Sequence, residues 1–456
     1  MSDEGLALAT KAMNAAGQDD AMVADFASRY RLLEQGGSGM IPEATIAPLL
    51  EVDQLDQVQV DTEQARDALA HTVVLRLNGG LGTSMGLDRA KSLLEVRDGL
   101  SFLDITVRQV LAARKRYGVR LPLVSMDSFR TQADTAEALA KYPELAVDGL
   151  PISLLQGQVP KLRADDLTPV SWPEDPSLEW CPPGHGDVYR ALYSSGLLDQ
   201  LVEAGFRYLS LSNGDNLGAA PDERVAGWFA STGAPYAAEL CRRTANDRKG
   251  GHLAIRKADG QLVLRDTAQT PVEEMDYFTD EHRHPFFHTN NLWVDLRALQ
   301  SVLGERGGVL GLPLIRNDKT VDPSDGDSTP VVQVESAMGA AIEVFPGATA
   351  ICVGRDRFLP VKTTNELLLL RSDLYELDND YRLVSHAETP AVKLGKQYKL
   401  VGDFARLVPH PLGLRQARSL AVDGEVAFGR DVQVVGDVAI EASEPTTIAD
   451  GTVLEG

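Results

Sequence analysis

The chain has 456 residues, 43% apolar and 24% charged, which excludes a disordered or fibrous protein and gives room for two or three domains with large cores. Its 44 basic and 66 acidic residues leave a formal charge of −22, a balance that repels nucleic-acid phosphates and anionic membranes. No run approaches the ~18 apolar residues of a membrane span, and the acidic N-terminus lacks the apolar core of a signal peptide. The three cysteines, Cys181, Cys241 and Cys352, are scattered, without metal-ligand spacing. Free thiols of this kind fit a reducing compartment, so a cytoplasmic enzyme or binding protein is expected.

Residues 1–70 read as an N-terminal helical segment packed on the main domain. Met22, Phe26, Tyr30 and Leu33 recur at spacings of three and four, one face of a helix. Gly36, Gly37, Ser38 and Gly39 end it, and a further short helix is expected over 42–55. From residue 72 the pattern changes. Strands are expected at 73–77, 121–126, 152–155 and 207–211, with helices at 102–117 and 133–140. This alternation predicts an α/β domain over 71–390 with a largely parallel sheet, whose ligand lies beyond the carboxyl ends of the strands. Segments 79–86, 126–128 and 213–216 each follow a strand and are expected to meet there. The last segment, 391–456, differs again. Val426, Val432 and Val438 are spaced by six, and Phe428, Val434 and Ile440 repeat that spacing two positions later. This period predicts a parallel β-helix of hexapeptide coils, with an antiparallel meander as the alternative. A solenoid this short needs a neighbour to stack on.

Several segments carry chemistry. Gly79, Gly80, Gly82 and Gly86 fall within eight residues directly after a strand, so the backbone can curl around a ligand and aim its amides at phosphate oxygens. Lys91 adds a point charge for a phosphate. Neither a Walker loop nor a dinucleotide fingerprint fits the spacing, and a tight structural turn is the alternative. The run 181–189, rich in proline and glycine, presents His185 at a helix start. Asp215, in the Ser212–Asn216 strand end, can hold Mg²⁺, which prefers hard oxygen ligands, or can instead cap a helix. Amides, a carboxylate and small residues at 287–293 and 332–340 suit a sugar, and Lys362 offers a second lysine. No Ser/His/Asp triad or telling carboxylate pair is visible.

In order along the chain stand LNGGLGTSMG…AKSL at 77–94, SFLDITVRQ at 101–109, SMDSF at 125–129 and PPGHGDVY at 182–189. SNGDNLGA at 212–219, HTNNLWV at 288–294, VQVESAMGAAI at 332–342 and FLPVKTT…LLLLRSDLY at 358–375 complete the set. Together they resemble the eukaryotic-type UDP-glucose pyrophosphorylases, or UTP–glucose-1-phosphate uridylyltransferases, over nearly the whole chain. The resemblance implies a nucleotidyltransferase α/β core with a Rossmann-like, mixed but mostly parallel sheet and a C-terminal left-handed parallel β-helix. It implies that UTP and glucose 1-phosphate are converted to UDP-glucose and pyrophosphate, reversibly and with Mg²⁺.

The same resemblance implies roles at matched positions. Leu77, Asn78, Gly79, Gly80 and Gly82 would line the nucleotide, and Lys91 would meet its phosphates. Met126, Gln156 and Gly184 would contact the uracil. His185, Asn213, Gly214, Asn291 and Glu335 would surround the sugar phosphate. Asp215 would be the metal ligand, and Lys362 would bridge the reacting phosphates. Two positions depart from the family's usual pattern: Arg76 stands where lysine is usual, and His288 where asparagine is usual. The nearest rivals are a UDP-sugar or UDP-N-acetylhexosamine pyrophosphorylase and a catalytically inactive nucleotide-sugar-binding protein. The acetylhexosamine type typically has arginine where Ser84 stands, and both lysines and Asp215 are present, against an inactive binder. A homo-oligomer assembled through the C-terminal coils is expected.

Overall fold

The computed structural model describes residues 2–37, 39–244 and 247–456, so Ser38 of the expected helix-ending loop lies outside it. The N-terminus is a helical pair, α1 (Ser2–Ala15) and α2 (Asp20–Glu34). Asp19 caps α2 by accepting from the Met22 amide at 2.8 Å. Met22, Phe26, Tyr30 and Leu33 form its buried face, as their spacing predicts.

The helix expected over 42–55 does not form. A single 3₁₀ turn, Glu43–Thr45, leads into the short strands Ile46–Pro48 and Asp53–Gln54. Pro48 has no amide for a helical ladder, and Ile46 is buried against Ala254 and Val263, with Arg256 as its antiparallel partner. Helix α3 (Thr62–Ala70), capped by Asp61, follows.

An eight-stranded sheet forms the centre. Its strands in chain order are β1 (Asp53–Gln54), β2 (Thr72–Asn78), β3 (Leu123–Asp127), β4 (Ser153–Leu155), β5 (Tyr208–Asn213), β6 (Tyr236–Arg242), β7 (Phe286–Asp295) and β8 (Thr349–Val353). The spatial order is β1-β8-β6-β7-β5-β2-β3-β4. Every neighbouring pair is parallel except those made by β7, which runs antiparallel to both β5 and β6. Both faces of the sheet are covered. Val73 and Leu75 of β2 join one core with Leu192, Leu198 and Leu299 of the helices on that face. Val74 joins the other with Val107 of α4 (Phe102–Tyr117) and Trp228. Continuous apolar strands buried on two sides are what a parallel sheet requires. Ser101 and Asp104 close a reciprocal capping box on α4, and Gly118 ends that helix at φ 67°.

Beyond residue 390 the chain winds into parallel coils. Ala391–Leu394, Gly413–Asp423, Gln433–Glu441 and Val453–Glu455 pair in parallel, and Val426–Phe428 pairs in parallel with Thr446–Ile448. The antiparallel alternative is thereby excluded. Val426, Phe428, Val432, Val434 and Val438 are buried and Ile440 half-buried, so the six-residue period is the inward-facing register. These residues share one apolar cluster with Met85, Phe102, Val361 and Leu367. No described helix is long and apolar enough to cross a membrane.

Candidate active site

The segments after β2, β3, β4 and β5 meet around one cavity of about 470 Å³ at the carboxyl edge of the sheet. β2 lies between β5 and β3, so the 79–91 loop is flanked by both neighbours' ends. Leu77, Asn78, Gly79, Gly80 and Gly82 form one wall. Met126, Gln156, Gly184, His185, Asn213, Gly214 and Glu335 also line the cavity, with Gln156 against Gly79 and Gly184 against Glu335. Lys91 and Asp215 close the floor, with Ser92 and Pro182 beside them.

Close backbone approach explains two of the glycines. Gly184 has φ 83° and lies so near the Ser336 backbone that a Cβ would come within 2.4 Å of its carbonyl oxygen. The Gly214 amide donates to the Leu77 carbonyl at 2.9 Å, and a Cβ there would meet that oxygen at 2.5 Å. The β2 and β5 loops are thus zipped together at the cavity edge.

Lys91 Nζ donates to Asp215 Oδ2 at 2.6 Å and to the Val361 carbonyl. Among the described residues lining the cavity it is the one cation, so an entering phosphate competes with Asp215 for it. The Val361 contact draws in a distant segment. Asn216 holds it there, accepting from the Leu359 amide at 2.8 Å and donating to the Arg357 carbonyl at 3.1 Å.

His185 accepts from the Met338 amide at Nδ1, 2.9 Å away, so the neutral ring carries its proton on Nε2. Burial pushes its pKa down to about 4, which keeps the ring neutral and leaves Nε2–H as a donor for a ligand. Glu335 accepts from Asn317 Nδ2 at 3.1 Å, and burial raises its pKa. The Gln156 side-chain amide packs against Gly79 with no hydrogen-bond partner among the described residues, and Gln156 lines the cavity.

Two expected site residues lie off this wall. Lys362 follows Val361 directly, but its Nζ donates to the Lys249 carbonyl at 3.2 Å and borders a different cavity of about 640 Å³. Asn291 is buried behind the site. It donates to Glu239 Oε2 at 3.2 Å and the Arg357 carbonyl at 3.1 Å, and accepts from Asn216 Nδ2 at 2.9 Å. Asn291 therefore buttresses the residue that fixes the 213–216 turn. Arg76 is also buried away from the cavity. It donates to the Ala219 and Leu75 carbonyls, and burial lowers its pKa to about 9.

Reading the sequence missed Asp127. Its buried carboxylate accepts from Asn78 Nδ2 at 2.8 Å, Ser125 Oγ at 2.9 Å and Ser153 Oγ at 2.6 Å, pinning the ends of β2, β3 and β4 in register. An aspartate in SMDSF gives no hint of that, because its partners are 26 and 49 residues away. Ser92 Oγ was also missed. It is buried and unpartnered among the described residues, next to Lys91.

No described group of three or more His, Cys, Asp or Glu side chains could hold a metal by itself. A single carboxylate, Asp215, still suits Mg²⁺, which commonly takes one or two protein oxygens and completes its shell with water and substrate phosphates.

Residues 23–435 match the family described as UTP--glucose-1-phosphate uridylyltransferase. The probable UTP--glucose-1-phosphate uridylyltransferase of Schizosaccharomyces pombe is 39% identical over 94% of this chain and 85% of its own. The structure resembles the UDP-glucose phosphorylase of Trypanosoma brucei, with a TM-score of 0.92 and 42% identity over 99% of this chain and 98% of that one. It is equally similar to a Leishmania major UDP-glucose pyrophosphorylase variant crystallised with UDP-glucose, at 0.92 and 43% over the same shares. That enzyme has also been described in open and closed structures.

Proposed function

This chain belongs to the UTP–glucose-1-phosphate uridylyltransferase family, and from that premise we propose that the 470 Å³ cavity is where it joins UTP and glucose 1-phosphate into UDP-glucose and pyrophosphate. It is a nucleotidyltransferase, a class that generally needs a divalent metal. The observation that carries the proposal is the single cavity in which the glycine loop, Lys91, Asp215, Gln156 and His185 converge.

The sugar phosphate is its own nucleophile. A phosphate monoester with a second pKa of ~6 is largely dianionic at neutral pH, so no general base is needed. The site has instead to hold two polyanions in line and offset their repulsion. The amides of 79–82 and the Lys91 ammonium receive the nucleotide phosphates. Gln156 reads the base edge with its unpartnered amide while Met126 covers the ring and Gly184 leaves room for it. His185 donates Nε2–H to the sugar phosphate, and Asn213, Gly214 and Glu335 pair with hydroxyls. Asp215 would hold Mg²⁺, whose charge screens the phosphates. Lys362 turns from the Lys249 carbonyl toward the phosphates when substrate draws Lys91 away from Val361. Asn291 acts from behind, through Asn216.

The coils past residue 390 carry no chemistry and are the surface through which we propose that copies associate. The three free thiols, all buried, fit a cytoplasmic location. Pyrophosphate release from UTP that depends on glucose 1-phosphate and on Mg²⁺ tests the reading. Comparable turnover with GTP, or with N-acetylglucosamine 1-phosphate, overturns its base or its sugar assignment, because a site built to hydrogen-bond one ligand rejects its analogues by orders of magnitude.

A further inference from the structure

The loop that carries Gln156 is held from outside the cavity. The Gly157 amide donates to Asp187 Oδ2 at 2.7 Å, and the Gln158 amide donates to Gln18 Oε1 at 3.1 Å. Asp187 is buried and belongs to the same 182–189 loop as Gly184 and His185, so one carboxylate ties that loop to the one carrying Gln156. Arg190, three residues on, grips it as a fork, Nε to Oδ1 at 2.5 Å and Nη2 to Oδ2 at 2.9 Å. The third nitrogen, Nη1, reaches Asp19 Oδ2. The other oxygen of Asp19 caps α2 through Met22, and the Met22 methyl lies over Gly157, where an added Cβ would meet it at 2.6 Å. Arg29, also on α2, is buried beside this network, where the Asp187 carboxylate opposes the lowering of its pKa by burial.

We propose that Asp187 and Arg190 are positioning residues of the base site, and that Asp19 is the charged contact through which the N-terminal helices bear on its selectivity. The inference rests on the reading of Gln156 as the group that contacts the base. A guanidinium fork fixes direction as well as distance, so each end of Arg190 dictates where the other lies. Burying such a network is costly in desolvation and is weak as a source of stability, whereas it fixes geometry well. Here it orients the amide that follows Gln156, and a shift of the base loop by a fraction of an ångström would misalign that side chain with the uracil edge.

The test is Asp19→Asn in the full-length protein. Asparagine caps a helix about as well as aspartate, so α2 keeps its start while Arg190 loses its outer anion. The side chain of Asp19 is 40% exposed, so folding is not at stake. KM for UTP is expected to rise about 5- to 20-fold, and the kcat/KM preference for UTP over CTP to fall by a similar factor, since small misplacements of bound groups have effects of that order. kcat and KM for glucose 1-phosphate should stay within about twofold, because His185 keeps its own anchor on the Met338 amide. An unchanged KM for UTP with unchanged base preference overturns the proposal. So does a parallel rise in both KM values with a lowered melting temperature, which marks a purely structural role. Wild-type protein assayed alongside separates the two readings: if it rejects GTP while Asp19→Asn keeps every ratio, the base-site reading stands and only the positioning role falls. If wild type accepts GTP as readily as UTP, both fall.

Discussion

Lys91 and Lys362 are alike in charge and differ in placement, and their substitution should show it. Lys91 already stands at the cavity floor against Asp215. Negative charge grows on the α-phosphate and on the leaving pyrophosphate at the transition state, so a lysine aimed there acts on kcat more than on KM. Lys91→Ala and Lys362→Ala are each expected to lower kcat by about 10²–10³, the usual cost of losing one such charge in a water-poor site. Steady-state kinetics, with circular dichroism to verify folding, checks this. A Lys362→Ala enzyme with near-normal kcat would make that residue a solvated loop lysine that stays on the Lys249 carbonyl. His288 offers a prediction in pH. Burial pushes its pKa down to about 4 from an ordinary 6.5, and its Nε2 has no hydrogen-bond partner among the described residues. A histidine held neutral in this way contributes stability that is full above pH 6.5 and lost as pH falls toward 4. His288→Asn should remove that share of the acid sensitivity. Between about pH 7 and pH 4.5 the variant's unfolding free energy should fall by about 2–3 kcal/mol less than that of wild type. Urea midpoints at the two pH values measure the difference.

At the scale of elements, the site depends on three strand ends being level. Asp127 levels them: its two oxygens receive side chains from β2, from its own strand β3 and from β4. Burial raises its pKa and these hydrogen bonds oppose the shift. Asp127→Ala would take the shared acceptor from buried Asn78 and Ser125 and half-buried Ser153, and is expected to cost about 3 kcal/mol, since each unmet buried group carries its own desolvation penalty. Because Asn78 and Gln156 flank the cavity from β2 and just past β4, KM for UTP should rise in the same variant. A midpoint in urea unchanged from wild type would show that water replaces the carboxylate. The same level edge was partly legible in the sequence. Strand-then-polar-turn punctuation marked where β2, β3 and β5 end, and such ends share one side of a parallel sheet. The network that sets their register was not legible, because serines and an asparagine are as common on surfaces as in buried bridges.

The whole molecule is less divisible than its sequence periods imply. The C-terminal coils share an apolar cluster with Met85 of the glycine loop and with Val361, whose carbonyl receives Lys91. The leucine at position 400 packs on Gly86, where a Cβ would come within 3.1 Å of it. A chain ending before Val422 would leave Leu414, Leu420 and their partners in that cluster half-covered, so its melting temperature should fall and its mass in solution should change. Calorimetry together with light scattering decides this. A truncated protein that keeps its stability and mass yet loses turnover would assign the coils a direct part in the chemistry.

The sequence by itself determined what is periodic or local. The period of six became parallel coils, the alternation of strand and helix became a doubly covered sheet, and Met22, Phe26, Tyr30 and Leu33 became the buried face of α2. Such patterns are legible because one face of an element must be apolar wherever it packs. The motifs likewise marked fourteen positions that line one cavity, from Leu77 to Glu335. Tertiary structure decided what depends on partners far along the chain. It turned 42–55 into edge strands, because sheet partners at Arg256 and Cys352 outweighed local helical spacing. It placed Lys362 on Lys249 and Asn291 behind the wall, and it joined Asp19 to Asp187 through Arg190. A side chain's direction is set by the charges and hydrogen-bond partners that folding brings to it, and no spacing along the chain encodes those.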